Sequence, residues 1–182
     1  MSQNYELKAD DHSEAGFPDK TIIDLFEEQV LKTPFHTAIT CNGVEMTYEA
    51  LNGRVNQLAG YLLWKNVKTE DLVGICVERS IEMIVGMLAI MKAGAAYVPI
   101  DPATPRERIG YMLKDTQSSL IISSSGLSYL VEGFDSTTTV YLDLIEDELN
   151  QSVSSNPTFP VIPGNLLYVI YTSGSSGNPK GV

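Results

Sequence analysis

The stretch from Asp71 to Pro102 reads DLVGICVERSIEMIVGMLAIMKAGAAYVPIDP and contains a complete strand–helix–strand unit. Residues 72–77 are a short apolar run, the pattern of a strand buried on both faces. Ser80 is placed to cap a helix that runs to Lys92, and Gly94 is the residue type that ends a helix in the left-handed conformation. Residues 97–100 form a second apolar run, closed by the turn-forming pair Asp101-Pro102. Two such runs joined through a helix make the unit from which parallel sheets are built.

The same alternation extends in both directions. Upstream, Thr21 is placed to cap a helix with Ile22, Leu25, Phe26 and Val30 at helical spacing, ending before Pro34. Asn42-Gly43 separates two β-prone runs, 37–41 and 44–46, and predicts a tight hairpin. Thr47 caps a long amphipathic helix to about residue 65, with Leu51, Val55, Leu58, Tyr61 and Leu62 on one face. Downstream, Pro105 opens a helix to about residue 115, and 120–122 is a strand. A weak helix at 126–132, a strand at 138–142 and an acidic helical turn at 144–150 follow. A Ser/Pro-rich linker, 151–163, leads into 166–171, an apolar run expected to be a buried strand. The fold class predicted is α/β, with a mostly parallel, doubly wound sheet. Residues 1–20 are polar and aperiodic and read as a tail or linker; no internal repeat is visible.

Composition narrows the function. The chain has 182 residues, 43% hydrophobic and 19% charged, and carries a net charge of −11. So acidic a chain is poorly suited to nucleic acid or an anionic membrane surface. The apolar run 83–91 is far short of the ~20 residues of a membrane span. The first 20 residues contain five acids and no apolar core of a signal peptide. Cys41 and Cys76 have neither zinc nor redox spacing and read as buried free thiols, which suits a reducing cytoplasm. His12 and His36 have no partner spacing and receive no role, and no metal ligand set is visible.

The ending is the chemically informative part. After the run 166–171 comes Thr172-Ser-Gly-Ser-Ser-Gly-Asn-Pro-Lys180-Gly, a loop rich in hydroxyls and glycines that ends on a lysine. Glycines let backbone N–H groups approach an anion, and a lysine supplies a compact charge suited to phosphate. The 65 residues between Lys114 and Lys180 hold seven acids and no Lys, Arg or His, so Lys180 is an isolated cation. In open α/β sheets ligands bind beyond the carboxyl ends of strands, where this loop lies. The Walker spacing is not met, because Pro179 precedes Lys180 and Gly181 follows it. A buried parallel strand followed so soon by the end of the chain suggests the front part of a larger protein.

The segment from Tyr171 to Gly181 closely resembles the signature loop of the adenylate-forming superfamily, which includes acyl-CoA synthetases, luciferases and adenylation domains of nonribosomal peptide synthetases. Three further stretches resemble the last group. Lys20–Val30 with Thr33-Pro34 is similar to the opening segment of those domains. Met46–Asn52, with Asn56-Gln-Leu-Ala59, is similar to their first core motif. Met91–Pro102 resembles their second core motif almost residue for residue. Ser176 stands where Thr is commoner, Met91 where Leu is, and Phe35 where an acid often follows Thr-Pro.

The resemblance implies that residues 21–182 are the N-terminal portion of the large sheet core of an adenylation domain. It implies ATP and Mg²⁺ as cofactors, an amino-acid substrate, and formation of an aminoacyl-adenylate with release of pyrophosphate. Transfer to the phosphopantetheine of a carrier domain would follow, as part of secondary-metabolite biosynthesis. Thr172, Ser173, Gly174, Ser175, Ser176, Gly177 and Lys180 would hold the triphosphate, with Lys180 acting in catalysis. Its implied partners are the remaining C-terminal part of the domain, the carrier domain and a condensation domain. The Mg²⁺ carboxylate and the amino-acid pocket lie beyond the signature loop in such domains, so this chain alone is incomplete. An acyl- or aryl-CoA ligase of the same superfamily and a non-catalytic docking fragment are the alternatives. Asp101 reads as a turn device, and Tyr48 and Tyr97 as core residues.

Overall fold

The computed structural model describes residues 19–151, 155–156, 161–172 and 180–182. The expected tail at 1–20 falls almost wholly outside them, as does much of the linker 151–163 and the loop 173–179.

Chain order follows the sequence reading closely. Helix α1 (Ile22–Lys32) precedes the hairpin of β1 (Thr37–Cys41) and β2 (Val44–Thr47), and α2 (Tyr48–Trp64) follows directly. The hairpin turn places Asn42 at φ 50° and Gly43 at φ 78°, the two left-handed positions that an Asn-Gly pair tolerates. Strand β3 (Leu72–Cys76), α3 (Ile81–Lys92) and β4 (Ala96–Pro99) form the first parallel unit. Next come α4 (Arg106–Asp115), β5 (Leu120–Ser123), α5 (Ser128–Val131), β6 (Thr138–Tyr141) and α6 (Glu146–Gln151). The caps are those the residue types dictate. Thr47 Oγ1 accepts from Ala50 N at 3.2 Å, and Ser80 Oγ from Met83 N at 3.2 Å. Gly94 ends α3 at φ +82°.

The four main strands are parallel in the order β4-β3-β5-β6. Side chains alternate across the sheet. Val73, Ile75, Leu120 and Ile122 face a core shared with α2, α3 and α6, while Val98 and Ile121 face one shared with α4 and α5. Helices therefore cover both faces, as a doubly wound sheet requires. Close packing is set by small residues. A Cβ on Gly86 would sit 2.7 Å from Ile75 Cδ1, so α3 packs closely on β3 and a larger residue there would require the Ile75 side chain to shift. No described helix is long and apolar enough to cross a membrane.

Some expectations are corrected. On α1, Ile22 and Leu25 are 50% and 47% exposed, and Ile23 is the buried residue. The helix places Ile23 in the buried layer with Phe26 packed against the core, and Glu27 on the same side reaches a lysine on α3. The run 166–171 is not buried on both faces. It alternates, with Leu167, Val169 and Tyr171 half-buried and Leu166, Tyr168 and Ile170 exposed. It is joined to β4 by a single parallel bridge, Tyr97 to Tyr168. Cys41 is half-buried, and only Cys76 is fully buried; burial foremost, then Asp101 and Glu78, raise the Cys76 thiol to about 11. Tyr97 and Tyr48 lie half-buried at the margin of the core, their rings against Tyr168 at 5.7 Å and Phe26 at 6.3 Å.

Candidate functional site

The general place for a ligand in such a sheet is the switch point, where neighbouring connections leave to opposite faces. Here it lies between the carboxyl ends of β3 and β5. The cavity there, about 300 Å³, is lined by Glu78, Glu82, Asp143 and Glu146 among others. Its Arg54 is already paired with Glu146. A crevice of that sign repels a polyphosphate.

The signature segment lies elsewhere, at the edge beyond β4. Its approach is fixed by backbone bonds: Tyr97 N donates to Leu167 O at 3.2 Å and Val169 N to Tyr97 O at 3.0 Å. Glu70 Oε1 anchors the start, accepting from Asn165 Nδ2 at 2.6 Å and Leu166 N at 3.1 Å. Strand β7 (Tyr171–Thr172) then pairs antiparallel with β8 (Lys180–Gly181). Thr172 stands opposite Lys180, and Tyr171 opposite Gly181. Ile170 and Val182 exchange both backbone hydrogen bonds at 3.0 Å.

Of the residues expected to bind phosphate, Thr172 and Lys180 are thus brought together as a cross-strand pair at the mouth of the loop. Ser173, Gly174, Ser175, Ser176 and Gly177 lie outside the described residues. Lys180 is exposed and forms no ion pair among the described residues. Its charge therefore remains available to an anion. Below the stem, a cleft of about 370 Å³ is lined by Asp101, Thr104, Arg108, Ile170 and Tyr171. Asp101 is a turn residue there, as expected: its carboxylate accepts from Ala103 N at 2.8 Å.

The sequence reading missed Lys92, within the second core motif. Its side chain is 2% exposed, and Nζ lies 2.7 Å from Glu27 Oε1. Nζ also donates to Asn52 Oδ1 at 2.8 Å, Asn56 Oδ1 at 2.6 Å and Asn156 Oδ1 at 3.2 Å. Asn52 and Asn56 each donate to the same Asn156 oxygen, at 3.1 and 2.8 Å. Burial holds the Lys92 pKa below its ordinary value, against the opposing pull of Glu27. The cluster ties α1, α2 and α3 to the segment leading toward the loop. Its signal was spacing, because Ile81, Val85, Ala89 and Lys92 share one helix face, and the first three are buried.

Among the described residues no group of His, Cys, Asp or Glu is placed to hold a metal ion. None of them is therefore assigned to Mg²⁺.

Comparison with known proteins places this geometry in context. The family model described as AMP-binding enzyme matches residues 26–182. The chain is 47% identical over 173 residues to bacitracin synthase 3 of Bacillus licheniformis, covering 92% of this chain and 3% of that protein. It is 43% identical over 176 residues to gramicidin S synthase 1 of Brevibacillus brevis, covering 96% of this chain and 16% of that one. Among solved structures, it resembles the nonribosomal peptide synthetase FmoA3 with bound alpha-methyl-L-serine-AMP. The TM-score is 0.81 at 29% identity, covering 91% of this chain and 18% of that one. The chain thus spans a small part of the length of the relatives it matches.

Proposed function

The chain belongs to the AMP-binding enzyme family, and on that premise we propose that it is the triphosphate-holding N-terminal part of an amino-acid adenylation domain for nonribosomal peptide synthesis. The observation that carries the reading is the pairing of Thr172 with Lys180 across the stem of the signature loop, where Lys180 is exposed and forms no ion pair among the described residues. The peptide synthetases among its relatives support the choice of amino acids over other acids.

In the proposed reaction the amino-acid carboxylate attacks the α-phosphorus of ATP. A carboxylate–phosphorus bond forms as the bond to pyrophosphate breaks, giving an aminoacyl-adenylate and pyrophosphate. The work of this chain is positioning and charge stabilisation. The Thr172 hydroxyl and the Lys180 ammonium hold the β- and γ-phosphates, with Ser173, Gly174, Ser175, Ser176 and Gly177 supplying hydroxyl and backbone donors between them. Lys180 offsets the charge gathering on the departing pyrophosphate. Mg²⁺ would be held by residues other than those described. The C-terminal remainder of the domain completes the site, and the phosphopantetheine thiol of a carrier domain in the cytoplasm attacks the acyl carbon, forming a thioester as the bond to AMP breaks and AMP leaves with loss of the thiol proton.

The test is exchange of labelled pyrophosphate into ATP by the complete enzyme, run against a panel of amino acids. Exchange dependent on one or a few amino acids supports the proposal. Activity only with carboxylic acids lacking an amino group, and only when coenzyme A accepts the product, favours the acyl-CoA ligase reading. No exchange with any acid, and no thermal stabilisation by ATP, leaves the docking reading.

A further inference from the structure

We propose that Asp115, Tyr171 and Gly181 form a positioning relay that sets the register of the loop stem and so aims Lys180. The inference rests on the phosphate-holding role given to Lys180 above. Three observations carry it.

First, Gly181 is closely packed on one side, so a larger residue there would force a neighbour to shift. A Cβ there would lie 2.9 Å from Val169 Cγ1 and 3.4 Å from Tyr171 Cζ. Val169 is β-branched and packed against the α4–α5 core, so it has little rotamer freedom to move aside. Second, the Tyr171 ring that lies over Gly181 is itself held, its hydroxyl donating to Asp115 Oδ2 at 2.5 Å. Burial foremost, then this bond, hold the phenol pKa above its ordinary value, so the hydroxyl keeps the proton it donates. Third, Asp115 is the last residue of α4, which is fixed in the core by Ile109, Met112 and Leu113. A rigid helix thus holds a ring, and the ring sits on the backbone of the residue next to Lys180.

The consequence follows from the two-residue period of a strand. A slip of one residue in the β7–β8 pair would turn Lys180 to the opposite face and away from Thr172. With strands of two residues each, the ladder bonds alone are too few to forbid it. The relay supplies the missing constraint. The relay assigns no phosphate contact to any of the three, so each is a positioning residue.

The test uses the complete enzyme and two readouts: steady-state pyrophosphate exchange, and hydrogen exchange of the Ile170 and Val182 amides, which needs no turnover. Tyr171→Phe and Asp115→Ala should each lower kcat about 10-fold, as for loss of one charge-assisted hydrogen bond, with the amino-acid KM unchanged. The double variant should lose no more than either single one, because both break the same contact. Asp115→Asn retains an oxygen acceptor and should stay within about 2-fold of the parent. Gly181→Ala should lower kcat about 100-fold, the scale of a small misplacement of a reacting group. The two amides should exchange at least about 10-fold faster in Tyr171→Phe and Gly181→Ala, at unchanged protection in β3 and β5. Unchanged amide protection in both variants would overturn the relay, as would additive losses in the double variant. If the parent enzyme shows no exchange of pyrophosphate, the functional reading falls, and the amide protection still decides whether the stem is held as described.

Discussion

Lys92 and Lys180 each stand near the end of a motif, one closing α3 and the other closing the signature loop, yet their surroundings oppose each other. The Lys92 side chain is 2% exposed and its ammonium is fully engaged by Glu27 and three asparagines. Its field is consumed inside the helical layer. Lys180 sits on a two-residue strand at the surface, opposite a threonine and with no ion pair among the described residues. A compensated cation contributes to structure, and an uncompensated one at a loop mouth is available to a ligand. The two segments are chemically alike in sequence, a lysine with glycine close behind, and only the partners separate them.

The largest expected effect breaks the buried side of that comparison. Lys92→Ala leaves the Glu27 carboxylate and three amides without their shared donor, and should cost about 3 kcal/mol, the scale of a broken buried pair. Lys92→Met combined with Glu27→Leu should recover part of it, because no isolated charge remains. Urea unfolding of the parent and both variants measures this. An unchanged midpoint in Lys92→Ala would mean the cluster contributes nothing.

Asn156→Ala sharpens the comparison by removing only the partner furthest along the chain. It should cost about 1 kcal/mol, lowering the melting temperature by roughly 2–4 °C. A larger loss would make the linker anchor, rather than the Glu27 pair, the main support of Lys92.

The smallest effect concerns the helix that presents Glu27. Thr21 and Asp24 form a capping box at the start of α1. The Thr21 hydroxyl first, then its backbone amide, hold the Asp24 carboxyl below its ordinary value of 3.8. A depressed folded value means that the stabilisation is present above 3.8 and is lost as pH falls through the folded pKa. Amides of α1 should therefore lose exchange protection in acid before those of β3 and β5. Simultaneous loss would show that the box is not what holds the helix.

Most of the fold was legible because caps, turn residues and short apolar runs agree from one element to the next. Ser80, Gly94 and Asn42-Gly43 each do locally what their chemistry predicts. Two readings failed for one reason. Ile22 and Leu25 are apolar and helically spaced, and residues 166–171 are apolar throughout, so neither pattern says which face meets the core. The face that is buried meets residues distant in sequence, Lys92 among them for α1 and β4 for residues 166–171. Of the candidate site, the sequence marked Thr172 and Lys180, and the fold sets these two opposite each other. The supports were not, because Asp115 contacts Tyr171 across 56 positions, and Asn156 meets Lys92 across 64.

In the proposed reaction Lys180 acts on the phosphates and not on the amino acid. The most direct measurement is amino-acid-dependent pyrophosphate exchange by the complete enzyme carrying Lys180→Ala. In that variant kcat should fall about 100-fold, the scale of one lost electrostatic contact, with the ranking of amino acids unchanged. Unchanged turnover would remove Lys180 from the mechanism, and an altered ranking would place the loop at the amino-acid pocket instead.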